Sequence, residues 1–552
     1  ELGRWGKDDQ LPIFVSVTIE QMGTMLVGSD VGAAVTSINE LPIAGLGMNC
    51  ATGPKEMTEH LRHLSAHSPA RVTLFPNAGL PSLVEGETVF PMTPDSMAEQ
   101  VAELVEEFGV NLVGGCCGTT PEHLAAVVKA VGERSPAKRK IDPEPGVTSI
   151  YQSTPYRQEA SLLNIGERCN ASGSRRFKRL LEEEDWDEIV SLAREQMKEG
   201  SHVLDINVDY AGRDNAADMD HLVSLLVRQV DAPLMIDATD PKVMEAGLRR
   251  AGGKCLINSA NLEDGEEKFD QVLGLASKYG AGVVLGSIDE DPEEAMARTA
   301  DRKLSIAERM YELATERHGL DPADLMFDPL VLPVSTGMEK DKRSGLETIE
   351  GTRRIAERFP ECQITCGLSN ISFGLNPAAR QVLNSVFLHE LREAGMTSAI
   401  LHVSKIMPRT RIEDEHWEAA LDVLYAREAE APVELEDGST TRDPLQIFID
   451  LFPADATAQS MKQDLSELEL EERLQRHIID GEKKNLEATL DEAMEKYPPL
   501  EIINDHLLGG MKVVGELFGS GQMQLPFVLQ SAEVMKMAVA HLEPHMEKEE
   551  GQ

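Results

Sequence analysis

From Ser161 to about residue 425 the chain repeats one pattern eight times: a short apolar run closed by a polar residue, then a helical stretch. The runs are "SLLNIGER", "HVLDINVD", "PLMIDA", "CLINSA", "GAGVVLGSI", "LMFDP", "QITCGLSN" and "SAILHVS". Short apolar runs alternating with helices imply parallel strands joined by crossovers. Eight such units in roughly 250 residues is the arithmetic of a closed TIM (β/α)8 barrel, whose catalytic face lies at the C-terminal ends of the strands. The polar residues at those ends are Glu167, Asn170, Asp205, Asn207, Asp237, Asn258, Asp328 and Asn370.

Two other textures flank this segment. Before it, "PIFVSVTI", "PIAGLGMNC", "ARVTLFPNAG" and "VNLVGGCCG" alternate with helical stretches such as "TPDSMAEQVAELVEEF". Four units are half of an eight-stranded barrel. After it the strands stop, and four amphipathic segments separated by Gly/Pro breaks argue a small bundle. The expected fold is therefore α/β plus all-α. It comprises a partial (β/α) barrel over 1–137, a linker over 138–160, a complete TIM barrel over 161–425, an acidic linker over 426–464 and a C-terminal four-helix bundle over 465–548. The closing "MEKEEGQ" reads as a further linker.

The sequence holds 53 basic against 95 acidic residues, which disfavours nucleic acid or an anionic membrane as partner. Seven cysteines are few and odd in number, which suits a reducing compartment rather than a disulfide scaffold. With no signal peptide or apolar spanning run, the expectation is a cytoplasmic chain.

Three of the cysteines stand at strand ends. Cys50 closes the second run of the first section, and the Gly-flanked pair Cys116 and Cys117 closes the fourth. Adjacent cysteines do not readily bridge each other. In a parallel barrel all three thiols would face one side. Three thiolates there would hold Zn²⁺ with one position open, the pattern of a catalytic zinc. An open position suits an incoming thiol, which coordination deprotonates. Iron is the other metal for such a set, but three sulfurs without a redox partner fit zinc better. The plainer alternative is three buried, inert thiols.

The motifs then line up with one family. "GLGMNC", "PNAGLP" and "GGCCGTTPEH" resemble the homocysteine-binding barrel of the cobalamin-dependent methionine synthases. "GERCNASGS", "LDINVD", "MIDATD", "INSANLEDGEEKF", "FDPLV" and "GLSNISFGLNP" resemble their methyltetrahydrofolate barrel. "GMKVVGELFGSGQMQLPFVLQSAEVMKMAVAHLEP" resembles their helical cobalamin cap. The resemblance covers nearly the whole chain, in the family's domain order. It implies two methyl transfers, from 5-methyltetrahydrofolate to cobalamin, and from methylcobalamin to zinc-bound homocysteine. Methionine and tetrahydrofolate are the products. S-adenosyl-L-methionine is a further family ligand.

On this resemblance Asp237 and Asp328 are expected to meet the pterin's N–H groups, with Asn258 sharing the network. Asn370 is expected near the nitrogen that bears the methyl, a poor leaving group unless its charge is met by a proton or hydrogen bond. Glu167 and Asn170 match further family positions. Asp205 and Asn207 join the same face, and Arg380 is expected to meet the acidic tail of folate. Phe518 and Leu525 match the apolar residues that cover the methyl-bearing face of cobalamin. Met511, Met523, Met535 and Met537 read as core filler.

The chain opens at Glu1 rather than Met and is expected to be a fragment. It is expected to lack the N-terminal half of the homocysteine barrel, the cobalamin-binding domain and the activation domain. The family's D-x-H-x-x-G string is not found; "DEHWEA" ends in Ala and lies in a charged helical stretch. Two alternatives stay open: a module passing methyl from methyltetrahydrofolate to a separate corrinoid protein, and a non-catalytic folate-binding scaffold.

Overall fold

The computed structural model describes residues 11–546 apart from 133, 337, 453–464, 466, 467, 521 and 524. The expected closing linker lies, from residue 547 on, outside the described residues.

The first unit contains β1 (Phe14–Val17), β2 (Gly45–Asn49), β3 (Arg71–Phe75), an exposed hairpin of β4 (Ser82–Val84) and β5 (Glu87–Val89), and β6 (Leu112–Val113). Strands β1, β2, β3 and β6 form one parallel sheet in that order. The helices between them start where the sequence offers caps. Asp30 accepts from the Ala33 amide at 2.7 Å ahead of Val31–Ile38. Thr93 followed by Pro94 opens Pro94–Phe108, and left-handed Gly109 closes it. Leu46, Met48, Val72 and Leu74 pack against Leu61, Leu64, Val105 and Phe108 in its core.

The second unit is the expected barrel. Its strands are β9 (Leu163–Asn170), β10 (Val203–Asn207), β11 (Leu234–Asp237), β12 (Leu256–Ala260), β13 (Gly282–Gly286), β14 (Leu325–Asp328), β15 (Gln363–Ile364) and β16 (Ser398–Leu401), preceded by a hairpin of β7 (Gly146–Thr148) and β8 (Ser153–Pro155). All eight barrel strands are parallel, and β16 pairs with β9. Between β15 and β16 the ring is joined by Thr397 N donating to Ile364 O and Ile400 N donating to Cys366 O.

Strand alternation explains where the site comes from. Leu204, Ile206, Val283, Leu285 and Phe327 point outward into the helical layer. Leu163, Ile165, Val203, Met235, Leu256, Val284 and Met326 form a separate apolar layer inside the barrel. Two residues further along, the same inward register delivers Glu167, Asp205, Asp237, Asn258 and Asp328 to the upper layer.

Two stretches expected as linkers are built into the fold. Within 138–160, the β7–β8 hairpin closes the lower end of the barrel, with Val147 and Tyr156 buried in its inner apolar layer. Tyr156 donates to Asp324 at 3.1 Å, and Lys254 bonds both Asp324 (2.8 Å) and Glu40 (2.6 Å) of the first unit. An isolated Val and Tyr in a Pro/Ser-rich stretch have no periodicity to betray them. Within 426–464, helix Pro444–Asp450 packs Phe448 against the barrel, and Phe452 follows it into the same core.

The four expected helical segments are present as Leu470–Ile479, Leu486–Met494, Leu508–Gly519 and Leu525–Leu542. Leu474, Ile478, Leu490, Ala493, Val534 and Ala538 form their core. Met523 is buried and Met511 and Met535 pack against the bundle, as core filler should, but Met537 is 38% exposed and is not filler. Arg411, at the end of the barrel, stacks over Phe527 of the bundle at 4.6 Å and donates to Gln530.

Candidate functional site

At the C-terminal face of the barrel, one amide gathers two carboxylates. Asn170 Nδ2 donates to Asp205 Oδ2 and to Asp237 Oδ2, both at 2.8 Å. Its own carbonyl oxygen accepts from the Ser172 and Gly173 amides at 2.9 and 3.2 Å, which fixes the side chain's orientation. Asn207 accepts from the Asp209 amide at 2.9 Å and supports Asp237 from the next strand. Asp205 is 1% exposed, and its Oδ1 is buried without a hydrogen bond. A buried acceptor with no partner calls for a proton or a donor from elsewhere.

Electrostatics follows from this crowding. Burial pushes the Asp205 carboxyl up to about 7, with the Asn170 and Asn258 amides pulling the other way. Asp237 is raised well above the carboxylate range, first by burial and then by the neighbouring charge of Asp205. Two carboxyls sharing one amide do not both ionise readily near neutrality. Asp328 is lifted to about 6 by burial, against which the Leu330 amide, bonded at 2.8 Å, and the charge of Lys303 work.

The Asp205 value makes a stability prediction. An unfolded aspartate titrates near 3.9, so the folded chain holds this proton more tightly. The stabilisation is complete below about pH 4 and is lost as pH rises through about 7. Asp205→Asn keeps an acceptor for Asn170 but carries no charge. Thermal melts across that range should show the variant losing less stability than the wild type on going from acid to pH 8. Parallel curves would remove Asp205 as the titrating group.

On the same strand as Asn170, Glu167 accepts from Ser369 Oγ through both carboxylate oxygens, at 3.0 and 2.9 Å. Burial raises Glu167, and the Ser369 hydroxyl and Arg380 charge oppose it. Ser369 belongs to the 3-10 turn Leu368–Ser372, which also carries Asn370. Arg380 donates to Ser372 Oγ at 3.2 Å and to the Ser369 carbonyl at 3.3 Å, so it braces that turn. Asn370 itself is exposed, and among the described residues its carboxamide has no partner. Ser369 was not singled out from sequence, although it is the neighbour of Asn370 in the same motif.

The thiols converge on the first sheet. Cys50, Cys116 and Cys117 have sulfurs all within 4.8 Å of one another; Cys50 and Cys117 are 3.5 Å apart and Cys116 and Cys117 4.0 Å. Tetrahedral zinc with Zn–S bonds near 2.3 Å separates its sulfurs by ~3.8 Å, so the set fits that ion. The backbone is bent to achieve this. Cys50 and Ala51 take φ of 62° and 57°, a left-handed conformation that costs non-glycine residues about 1–2 kcal/mol each. Gly118 is also left-handed, and a Cβ there would stand 2.2 Å from Phe90. Asn77, 3% exposed, accepts from the Cys117 amide at 3.0 Å and positions the pair. Burial disfavours charge on Cys50, yet the Ala51 amide and bonds from Cys117, Cys116 and Asn77 hold its thiol below the ordinary value. Cys117, bonded to Cys50, is pushed up to about 11. Hydrogen bonding thus favours the thiolate at Cys50 over that at Cys117.

In the bundle, Phe518 is half-buried near the end of Leu508–Gly519, and Leu525 is 42% exposed at the start of the last helix. Leu529 and Met537, on that same helix, are also exposed.

Comparison with known proteins matches three family models in series. Residues 4–131 match homocysteine S-methyltransferase, 166–402 match pterin binding enzyme, and 470–543 match B12 binding domain. Methionine synthase of Mycobacterium tuberculosis (strain ATCC 25618 / H37Rv) is 51% identical over 544 residues, covering 98% of this chain and 44% of that protein. Methionine synthase of Mycobacterium leprae (strain TN) is 48% identical over 549 residues, with the same coverage of 98% and 44%. A solved dihydropteroate synthase from Xanthomonas albilineans covers 51% of this chain and 96% of its own, with 17% identity and a TM-score of 0.34. Among the described residues no helix is long and apolar enough to cross a membrane. By sequence the chain is similar to these methionine synthases, of whose length it spans 44%.

Proposed function

We propose that the chain carries the methyl-donor and methyl-acceptor stations of a cobalamin-mediated methyltransferase that converts homocysteine to methionine. The observation that carries this reading is the Asn170-bridged pair of buried carboxyls at the barrel mouth, one oxygen of which lacks a partner. Such a cluster suits a flat heterocycle whose edge offers several N–H donors.

In this reading 5-methyltetrahydrofolate lies across the mouth. Asp237, Asp205 and Asp328 accept from the pterin's N–H groups, with Asn258 and Asn207 completing the edge. Asn170 holds the two carboxyls at the spacing of that edge, and Glu167, on the same strand, is fixed by Ser369. Asn370 donates to the nitrogen that loses its methyl group, offsetting the negative charge that develops there. Cobalamin, when bound, supplies the centre that carries the methyl group between the two stations. The apolar side chains of Phe518 and Leu525 exclude water from that centre's methyl-bearing face. Cys50, Cys116 and Cys117 would hold zinc, which supplies the Lewis acidity that keeps a homocysteine thiol deprotonated. Asn77 orients the ligand pair from behind.

Calorimetric titration with methyltetrahydrofolate tests the donor station. Asp237→Ala removes a ligand-facing acceptor, a loss typically worth about 1–3 kcal/mol, or roughly 5- to 150-fold in affinity. Wild-type affinity in that variant would remove Asp237 from the site. No binding by the unaltered protein would sink the reading of the barrel.

A further inference from the structure

A lysine that no part of this scheme uses lies directly beneath the donor station. Lys303, on helix Ala300–Glu312, is 1% exposed. Its ammonium donates to the carbonyls of Ala297 (2.8 Å), Pro329 and Leu330 (3.1 Å). Among the described residues it has no carboxylate partner in an ion pair. Burying a cation on neutral carbonyls is costly, and surface lysines in helices do not normally accept that environment.

The loop it grips is the one that holds Asp328. Leu330 sits at φ 60°, a left-handed conformation, and its amide donates to Asp328 Oδ1 at 2.8 Å. Thr348 adds a bond to the Leu330 carbonyl at 3.1 Å. The facing helix Ser344–Arg358 also makes room for the lysine. A Cβ on Gly351 would stand 2.7 Å from Lys303 Cδ, so a mid-helix glycine, itself unfavourable, clears the path of the stem. Two elements are thus shaped around one buried charge.

We propose that Lys303 is a positioning residue of the pterin site, pinning the Pro329–Leu330 turn and setting a positive charge behind Asp328 so that this carboxylate accepts from the ligand. This rests on the reading of the barrel as a methyltetrahydrofolate site. The groups that face Lys303 are Asp328 on β14, Glu347 on the helix Ser344–Arg358, the Cys366 thiol after β15, and Arg298 in the loop before its own helix. Burial lowers the lysine to about 8, so it remains mostly protonated at neutral pH, where Asp328, at about 6, is mostly ionised. Removing the lysine charge removes a cause that lowers Asp328, so its titration must move up.

The test uses Lys303→Met, which removes both charge and donor, and Lys303→Gln, which keeps a donor and removes the charge. Asp328 is followed by carboxyl-carbon NMR in protein labelled with ¹³C-aspartate, its signal identified by its loss in Asp328→Asn. Methyltetrahydrofolate affinity is measured in parallel from about pH 5 to 9. The expected result is an upward move of the Asp328 midpoint by about one pH unit or more in both variants. The midpoint of binding should move with it, and Lys303→Met alone should stay weaker at high pH. A merely structural lysine would weaken binding equally at every pH. An Asp328 midpoint unchanged in both variants overturns the proposal; if Lys303→Met does not fold, Lys303→Gln decides it. Failure of the unaltered protein to bind methyltetrahydrofolate would sink the reading of the barrel, while the Asp328 titration would still report on Lys303.

Discussion

Asn370→Ala is expected to slow methyl transfer from methyltetrahydrofolate to reduced cobalamin by ~10²–10³-fold, the usual loss when one preorganised donor to a developing charge is removed. Affinity for methyltetrahydrofolate should change far less. The reason lies in how the structure treats this side chain. Asn170 spends its whole amide on protein partners, two carboxylates and two backbone amides. Asn370 spends only its backbone: its amide donates to Gly367 O and its carbonyl accepts from Phe373 N, both at 3.2 Å. The turn beneath it is fastened to Glu167 through Ser369 and to Arg380. A rigid backbone carrying a free carboxamide at the barrel mouth is suited to meet a group whose charge changes during reaction. A contact that strengthens only as the methyl group leaves appears in the rate rather than in ground-state binding. Single-turnover rates and equilibrium affinities on the same variant separate the two. An unchanged rate, or equal losses of affinity and rate accounted for by binding alone, would remove Asn370 from its role. Ser369→Ala should show a smaller loss in rate, because the turn keeps its Arg380 brace.

The elements legible in the sequence were those whose burial leaves a continuous signature. Parallel strands covered on both faces are short apolar runs, and each of the eight barrel strands was visible as one. Their terminal polar residues were legible for the same reason, since a carboxylate closing an apolar run has few structural excuses. What escaped were isolated residues buried by tertiary context. Val147 and Tyr156 close the barrel from a stretch with the composition of a linker, and Phe448 and Phe452 do the same from an acidic one. Asp205, in sequence simply one polar strand end among several, is the most deeply buried carboxyl of the mouth, because its neighbours on both adjoining strands crowd it. Arg380 was expected at the acidic tail of folate; the structure spends at least two of its donors on the turn that carries Asn370. Lys303 did leave a trace. It shares the stripe of Ala307, Met310 and Ala314 at helical spacing, so its position is a core position occupied by a charge. A cation on an apolar stripe, two strands from a cluster of aspartates, was a signal that periodicity alone made available.

Replacing Cys50, Cys116 and Cys117 together by serine is expected to abolish zinc binding, from about one ion per chain to none. The geometry makes this a stringent expectation. The three sulfurs are presented by two strand ends of one sheet, at separations matching those of a tetrahedral site. The backbone at Cys50 and Ala51 is held left-handed without the relief of glycine, and such strain persists where the surrounding fold demands a side chain at one place. Serine keeps the size of cysteine but not the soft sulfur, and its hydroxyl stays protonated where a thiol ionises. Each single variant should lose most of the affinity, since a three-ligand set has no spare member. Asn77→Ala, which leaves all three ligands in place, should weaken zinc by ~10–100-fold, the typical loss when a group orienting the ligands is removed. Metal analysis after dialysis against a competing chelator reads all of these. Zinc held at wild-type stoichiometry by the triple variant would place the metal elsewhere in the chain. Zinc lost equally from Asn77→Ala and from the triple variant would show that the site depends on its support as strictly as on its sulfurs. Zinc binding indifferent to Asn77 would mean that the paired cysteines hold their own geometry through Gly118 and the Pro76 carbonyl that accepts from the Cys116 amide at 2.8 Å.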